Sequence, residues 1–442
     1  MRNLLLIIIS GILFATCTPK VEFDSISSGR ANFTNYAVIG DGYMAGYQDG
    51  ALFHDGQMRS IGALIYTSLE QVNSVSYNQA LMQDNSGVGI NSKPWDATYT
   101  SASTLNFKVD CEGISSLGPI KTLYTIMTAQ PYLDPVAALS LDDFSVPFAT
   151  TNDLSSGTLF MSNVYWARVS GNFSNISPKQ AMVNRSPTFF SAWLGMEDIM
   201  KYARNGGYGQ TISSPTIFAT NLDNILAPLT SNGSKGVIAL IPDFRSFPYF
   251  TTVLWNAADL SVDDADSLTA TYLAGGLPHI SFVEGKNPFV IDDVAAPGGF
   301  RQLVNGEYIT VSVPTDSMKC FYYGLLLNTV HDRYVLDSSE VSYLSGMIKE
   351  YNDVIRSKAA QYDLAVVDML SYFGKLPLWI TSNGVKYTNE FVKGGFFGLD
   401  GLYPTQKGAA LLANEFIMAI NNYYGSTLPT ITCPECNGII FP

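Results

Sequence analysis

Four short stretches collect residue types that could do chemistry where apolar runs end: Gly40-Asp41-Gly42, Val146-Pro147-Phe148-Ala149, Gly195-Met196-Glu197-Asp198 and Asp400-Gly401-Leu402-Tyr403-Pro404. Their carboxylates, Asp41, Glu197, Asp198 and Asp400, could form an acid/base pair or an oxygen-rich cation site. Tyr43, Tyr47, Phe148, Trp193 and Tyr403 could line an aromatic pocket suited to sugar or acyl groups, with core packing the plainer reading for Trp193 and Phe148. The missing groups are as informative. Gly42 stands just past the turn that closes an apolar run, where a serine would make a nucleophile. The histidines are His54, His279 and His331. His54 reads as a surface-loop residue near the edge of any pocket, and neither of the others has a serine motif beside it. No Gly-x-Ser-x-Gly occurs.

Residues of this kind must be positioned by a scaffold, and the apolar runs supply one. Runs at 36 to 40, 188 to 195, 236 to 243 and 364 to 369 are short, apolar and closed by turn residues, as buried parallel strands are. Between them lie helical patterns. Residues 58 to 72 place Ile61, Leu64, Ile65, Leu69 and Val72 on one face; residues 338 to 363 form a longer amphipathic pattern with Ser338 or Ser339 as N-cap. Leu412, Phe416 and Ile420 share a face that ends at Gly425. Alternating strands and helices imply an α/β fold with a parallel sheet covered on both faces and ligands at the strands' carboxyl ends. Residues 255 to 335, rich in Gly and Pro, fit that alternation poorly and read as an insertion.

Composition narrows the function. With 25 basic against 38 acidic residues, a net charge of -13 and no basic cluster, attraction to nucleic acid or anionic lipid is excluded. Residues 1 to 16 combine a basic start with an apolar run and small residues, which is the pattern of a signal peptide. Cys17 follows directly, as in a bacterial lipobox, so the expectation is cleavage before Cys17, lipid on its sulfur, a tether over 17 to 33 and a place at the outer membrane, on its periplasmic or surface face. An ordinary signal peptide is the alternative. The remaining cysteines, Cys111, Cys320, Cys433 and Cys436, allow several pairings; Cys433-Pro-Glu-Cys436 reads as a local bridge or as loop thiols in a tail over 429 to 442. No cofactor or metal is implied.

Taken together, the four stretches resemble the motifs of the SGNH/GDSL hydrolase family, in the branch seen among lipoproteins of Bacteroidota-type bacteria. The likeness runs from about Thr34 to Tyr424 through "IPDFRSFPYF", "VEGKNPFVIDD" and "YVLDSSEV". It implies a three-layer α/β/α sandwich of flavodoxin-like type over residues 34 to 428, and ester hydrolysis by serine, histidine and aspartate beside an oxyanion hole. The family's serine falls on Gly42, its second-motif glycine on Phe148, its oxyanion-hole asparagine on Glu197 and its histidine on Tyr403; only Asp400 matches. The equivalents of Asp41 and Asp198 orient loops in that family. Glycine cannot attack a carbonyl, tyrosine is a poor base near neutral pH, and a carboxylate repels an oxyanion. The expectation is therefore a pseudo-hydrolase that binds a glycan or acyl ligand through Asp41, Gly42, Tyr43, Phe148, Glu197 and Tyr403, or an outer-membrane partner protein. The alternative is an ester hydrolase with an altered site.

Overall fold

The computed structural model describes residues 25–90, 98–136, 140–170 and 175–442. The expected signal peptide, Cys17 and the first part of the expected tether lie outside the described residues. Four strands, β1 (Tyr36–Gly40), β2 (Phe189–Trp193), β3 (Lys235–Ala239) and β4 (Ala365–Val367), form one parallel sheet in that spatial order. Every residue of β1 and β2 is buried, which is why these strands read as unbroken apolar runs rather than alternating ones. Residues 142 to 146 run along the free edge of β1: the Val38 amide donates to the Asp142 carbonyl at 2.8 Å, and the Val146 amide to Gly40 at 2.9 Å. The spatial order is thus this edge segment, then β1, β2, β3, β4, and the chain reverses its direction of winding between β1 and β2. A crevice forms beyond the carboxyl ends of strands at such a reversal. Gly42 follows β1 and Glu197 follows β2, so both stand at the base of this end of the sheet.

Six helices frame this arrangement: α1 (Gly42–Ala45), α2 (Ile61–Leu69), α3 (Met196–Ala203), α4 (Pro215–Thr230), α5 (Ser338–Gln361) and α6 (Gln406–Tyr424). Helix α2 packs on α6 and α4 on α5, while α5 and α6 each pack on β3 and β4. In α6 the expected stripe is buried, with Leu412, Phe416 and Ile420 all at 0% exposure. Burying each such side chain contributes roughly 1.5–3 kcal/mol relative to leaving it in water. Thr405 caps the start, and Gly425, at φ 68, closes the end in a left-handed conformation that costs glycine little. The N-cap of α5 is Asp337, one residue before the expected serines. Its carboxylate takes the amides of Ser339 and Glu340, and Glu340 answers the Asp337 amide at 3.0 Å. This reciprocal box satisfies more of the helix's orphan donors than a serine cap would.

Residues 258 to 335 bury a cluster of their own, including Tyr272, Ile280, Val290, Ile309 and Val330, distinct from the cluster around the sheet. A two-stranded hairpin, Thr104–Val109 with Ser115–Ile120, is tied to the short helix Thr315–Cys320 by a Cys111–Cys320 disulfide. Lys319 reinforces the junction through Asp110 at 2.5 Å and Glu112 at 3.1 Å. Cys433 and Cys436 form the second disulfide, so the local bridge is the form taken.

The described part of the expected tether, residues 25–33, belongs to the fold. Phe33 is fully buried, with its ring 4.8 Å from that of Phe189, and Arg30 Nη2 donates to the Tyr423 carbonyl at 2.5 Å. The terminal residues also pack: Ser68 Oγ donates to Pro429 and Asn414 Nδ2 to Ile431, which clasps the tail against α2 and α6. Among the described residues no helix is long and apolar enough to cross a membrane.

Candidate functional site

The first turn past β1 is built by Asp41, which caps α1 by accepting the Tyr43 amide at 3.0 Å. Burial, and then the charge of Glu197, raises the Asp41 carboxyl to about 8, so it is protonated at neutral pH. Gly42 follows in helical conformation. A Cβ on Gly42 would lie 2.7 Å from Tyr403 Cε1 and 3.0 Å from Tyr403 Oη. The tyrosine ring therefore stands in the space that a nucleophile's side chain would need. It is itself wedged between Tyr43 and Tyr47, with ring centroids 4.7 and 4.9 Å away. Burial pushes the Tyr403 phenol well above its ordinary value, which removes it further from service as a proton acceptor.

Phe148 adopts a φ of 64°, the left-handed region that favours glycine. The backbone there has a glycine-type conformation while carrying a large ring. That ring lies 5.0 Å from the Arg204 guanidinium and 5.1 Å from the ring of Tyr47. Glu197 sits in the first turn of α3, behind the left-handed N-cap Gly195, and its Oε1 accepts from Arg204 Nη2 at 2.5 Å. Both members of this pair are buried. Burial alone would lower the arginine's affinity for its proton; the Glu197 charge more than offsets this and keeps the guanidinium ionised. At this strand end the chain presents a carboxylate already committed to an arginine.

Asp400 points no imidazole anywhere. Its Oδ1 accepts the amides of Leu402 and Tyr403 and its Oδ2 the amide of Gly50, each at 2.8 Å. The carboxylate now shapes two loops. Asp198 does the same for the segment after the edge strand, accepting the amide and the hydroxyl of Thr151 at 2.8 and 2.7 Å. Among the described residues no three His, Cys, Asp or Glu side chains converge as metal ligands.

Above this floor opens a cavity of about 360 Å³. Phe148, Tyr403, Tyr47 and Asp400 line it, together with Arg204. Its walls come from the hairpin at Lys108 and Pro119 and from the 258–335 side at Val311, Ser312 and Thr315. Four of the expected ligand contacts do not line it. Asp41 and Glu197 lie beneath, held in the cap and the ion pair; Gly42 is covered by Tyr403; and Tyr43 is buried with its hydroxyl donated to the Leu402 carbonyl at 3.1 Å. Trp193 is fully buried core. None of the histidines reaches the cavity: His54 contacts Asp55, His279 the Phe300 carbonyl, and His331 the ring of Tyr208. Sequence reasoning missed Arg204. The signal was present, since Arg204 lies seven residues after Glu197, two turns along the same helix face.

The fold and the site define a parallel α/β protein with an aromatic-floored, arginine-bearing cleft at the carboxyl edge of its sheet. No family model matches the chain, and no curated protein does. Among solved structures it is similar to an alpha/beta hydrolase enzyme from the metagenome of Lake Arreo, Spain, at 10% identity and a TM-score of 0.36, covering 88% of this chain and 96% of that one. It is also similar to a GDSL-like lipase from Parabacteroides merdae, at 10% identity and a TM-score of 0.34, covering 89% and 99%. At such scores neither likeness assigns an activity.

Proposed function

We propose that this protein is an exported, lipid-anchored pseudo-hydrolase of the SGNH/GDSL type: a three-layer α/β/α sandwich with an inserted subdomain over about 255 to 335, which acts by binding in its cleft rather than by catalysis. One observation carries the reading: the Tyr403 ring fills the space next to Gly42. A serine side chain and this ring cannot share that space, and no histidine lines the cavity to activate one. Losing nucleophile or base from a serine triad costs on the order of 10^6 in turnover. The left-handed Phe148 and the Glu197–Arg204 pair add substitutions in the same centre. Export and anchoring at Cys17 rest on the leader sequence, and disulfides persist in the compartments to which such a leader directs a chain.

The purified mature chain, assayed on short and long aryl esters, is expected to give no turnover above that of Asp400→Ala. Turnover that disappears with Asp400→Ala would overturn the proposal in favour of an altered ester hydrolase. Gly42→Ser with Tyr403→His is expected to restore little, because Glu197 and Phe148 remain.

A further inference from the structure

The cleft carries a charge pattern opposite to that of the chain. In a protein of net charge -13, three cations, Arg204, Lys108 and Lys121, line one cavity. Among the described residues the one acid in the lining is Asp400, whose carboxylate accepts three backbone amides and feels the charge of Lys121. Arg204 is anchored from behind by Glu197 and flanked by the Phe148 ring. Among the described residues Glu197 is the only acceptor hydrogen-bonded to the Arg204 side chain, and it takes Nη2. The remaining guanidinium donors are left for a guest, and their fork geometry matches a carboxylate.

The rest of the lining says what the guest's body is. Ile90, Val253, Val311, Phe391 and Leu402 contribute aliphatic and aromatic wall. Among the described residues no asparagine or glutamine lines the cavity, and it is such amides that pair best with a sugar's ring of hydroxyls. The volume falls in the range of small-ligand sites, about 300–1,000 Å³.

We infer that the cleft receives a carboxylate borne on an apolar body, of the class of medium-chain fatty acids, with Arg204 at the floor taking the carboxylate and the aliphatic wall taking the chain. This rests on the non-catalytic reading above and names the ligand class for the same site.

The test is calorimetric titration of the full mature chain with decanoate, decan-1-ol and glucuronate at neutral pH. Decanoate is expected to bind at least tenfold more tightly than decanol, and glucuronate not to bind. Replacing the ion pair as a unit, Glu197→Met with Arg204→Met, leaves no orphaned buried charge and is expected to bring decanoate down to the affinity of decanol. Ser312→Trp narrows the cavity without touching the pair and is expected to abolish decanoate binding, which keeps the test decisive if the methionine pair folds poorly. Lack of decanoate binding, equal affinity for decanol, preference for glucuronate, a preference that survives the methionine pair, or binding that survives Ser312→Trp would overturn the inference and leave the non-catalytic reading standing. Hydrolysis of the p-nitrophenyl ester of decanoate would instead remove that reading itself.

Discussion

Substituting Gly42 by alanine turns the relation between Gly42 and Tyr403 into a question of sign. Gly42 lies in α1 with an ordinary helical backbone, outside the positive-φ glycines. On backbone grounds alone, Gly→Ala in a helix stabilises by about 0.5–1 kcal/mol. The new Cβ, however, would sit 2.7 Å from Tyr403 Cε1. The ring cannot swing clear, because it is 3% exposed and bounded by Tyr43 and Tyr47. Overpacking of this kind costs about 1–3 kcal/mol. Gly42→Ala is therefore expected to destabilise by about 0.5–2 kcal/mol, and in a Tyr403→Ala background, with the ring gone, to stabilise instead. Urea unfolding of the four chains in this cycle reads the change as a shift in midpoint at constant slope. A stabilising or neutral Gly42→Ala in the otherwise unaltered chain would refute the claim that the ring occupies the nucleophile's place.

At Phe148, with φ of 64°, glycine is expected to be tolerated better than alanine by about 1 kcal/mol, the reverse of the usual helix and strand preference; urea midpoints of Phe148→Gly and Phe148→Ala check this, and equal midpoints would contradict the left-handed backbone. Because Asp41 in the fold keeps its proton up to about pH 8 while the unfolded chain releases it near pH ~3.9, its contribution to stability falls as pH rises through that window. Asp41→Asn, which retains a capping side chain, is expected to flatten the pH dependence of the unfolding free energy, though not abolish it, since Asp198 is raised to about 6 and tilts the same way. An unchanged slope would argue against a protonated Asp41. Cys111→Ser with Cys320→Ser cuts the link between hairpin and insertion and is expected to cost about 2–5 kcal/mol and to expose residues 104–120 to limited proteolysis; a protease-resistant hairpin would contradict its dependence on the bridge.

The sheet was legible where burial is two-sided. The central strands announce themselves as apolar runs because their residues are buried on both faces of the sheet, and the α6 stripe of Leu412, Phe416 and Ile420 does so because those side chains are fully buried. The edge segment at 142–146 escaped notice. It begins with Asp142 and Asp143, whose carboxylates serve Asn78, Arg185 and Tyr77, so polar duties interrupt its pattern. The 104–120 hairpin was readable in principle from the Asp110-Cys111-Glu112-Gly113 turn between two extended runs, but its partner Cys320 lies 209 residues away, a separation no local spacing encodes.

In the site, the candidate positions were visible as residue types, yet their roles were not. Tyr403 was expected to line an aromatic pocket and contact a ligand, and it does line the cavity, but it also plugs the position beside Gly42. Glu197 was expected to face a ligand and is turned inward by Arg204. Glu197 turns inward because a buried charge needs a partner, which Arg204 supplies, and Tyr403 holds its place through packing between Tyr43 and Tyr47, which lie far from it in sequence.

The most direct measurement of the account is the intact mass of the mature chain after exposure to an alkyl fluorophosphonate and, separately, to an activated aryl ester. A dismantled reaction centre predicts an unchanged mass at neutral pH after prolonged incubation. A stoichiometric adduct, mapped by peptide sequencing to any side chain lining the cavity above Gly42 and Tyr403, would contradict it.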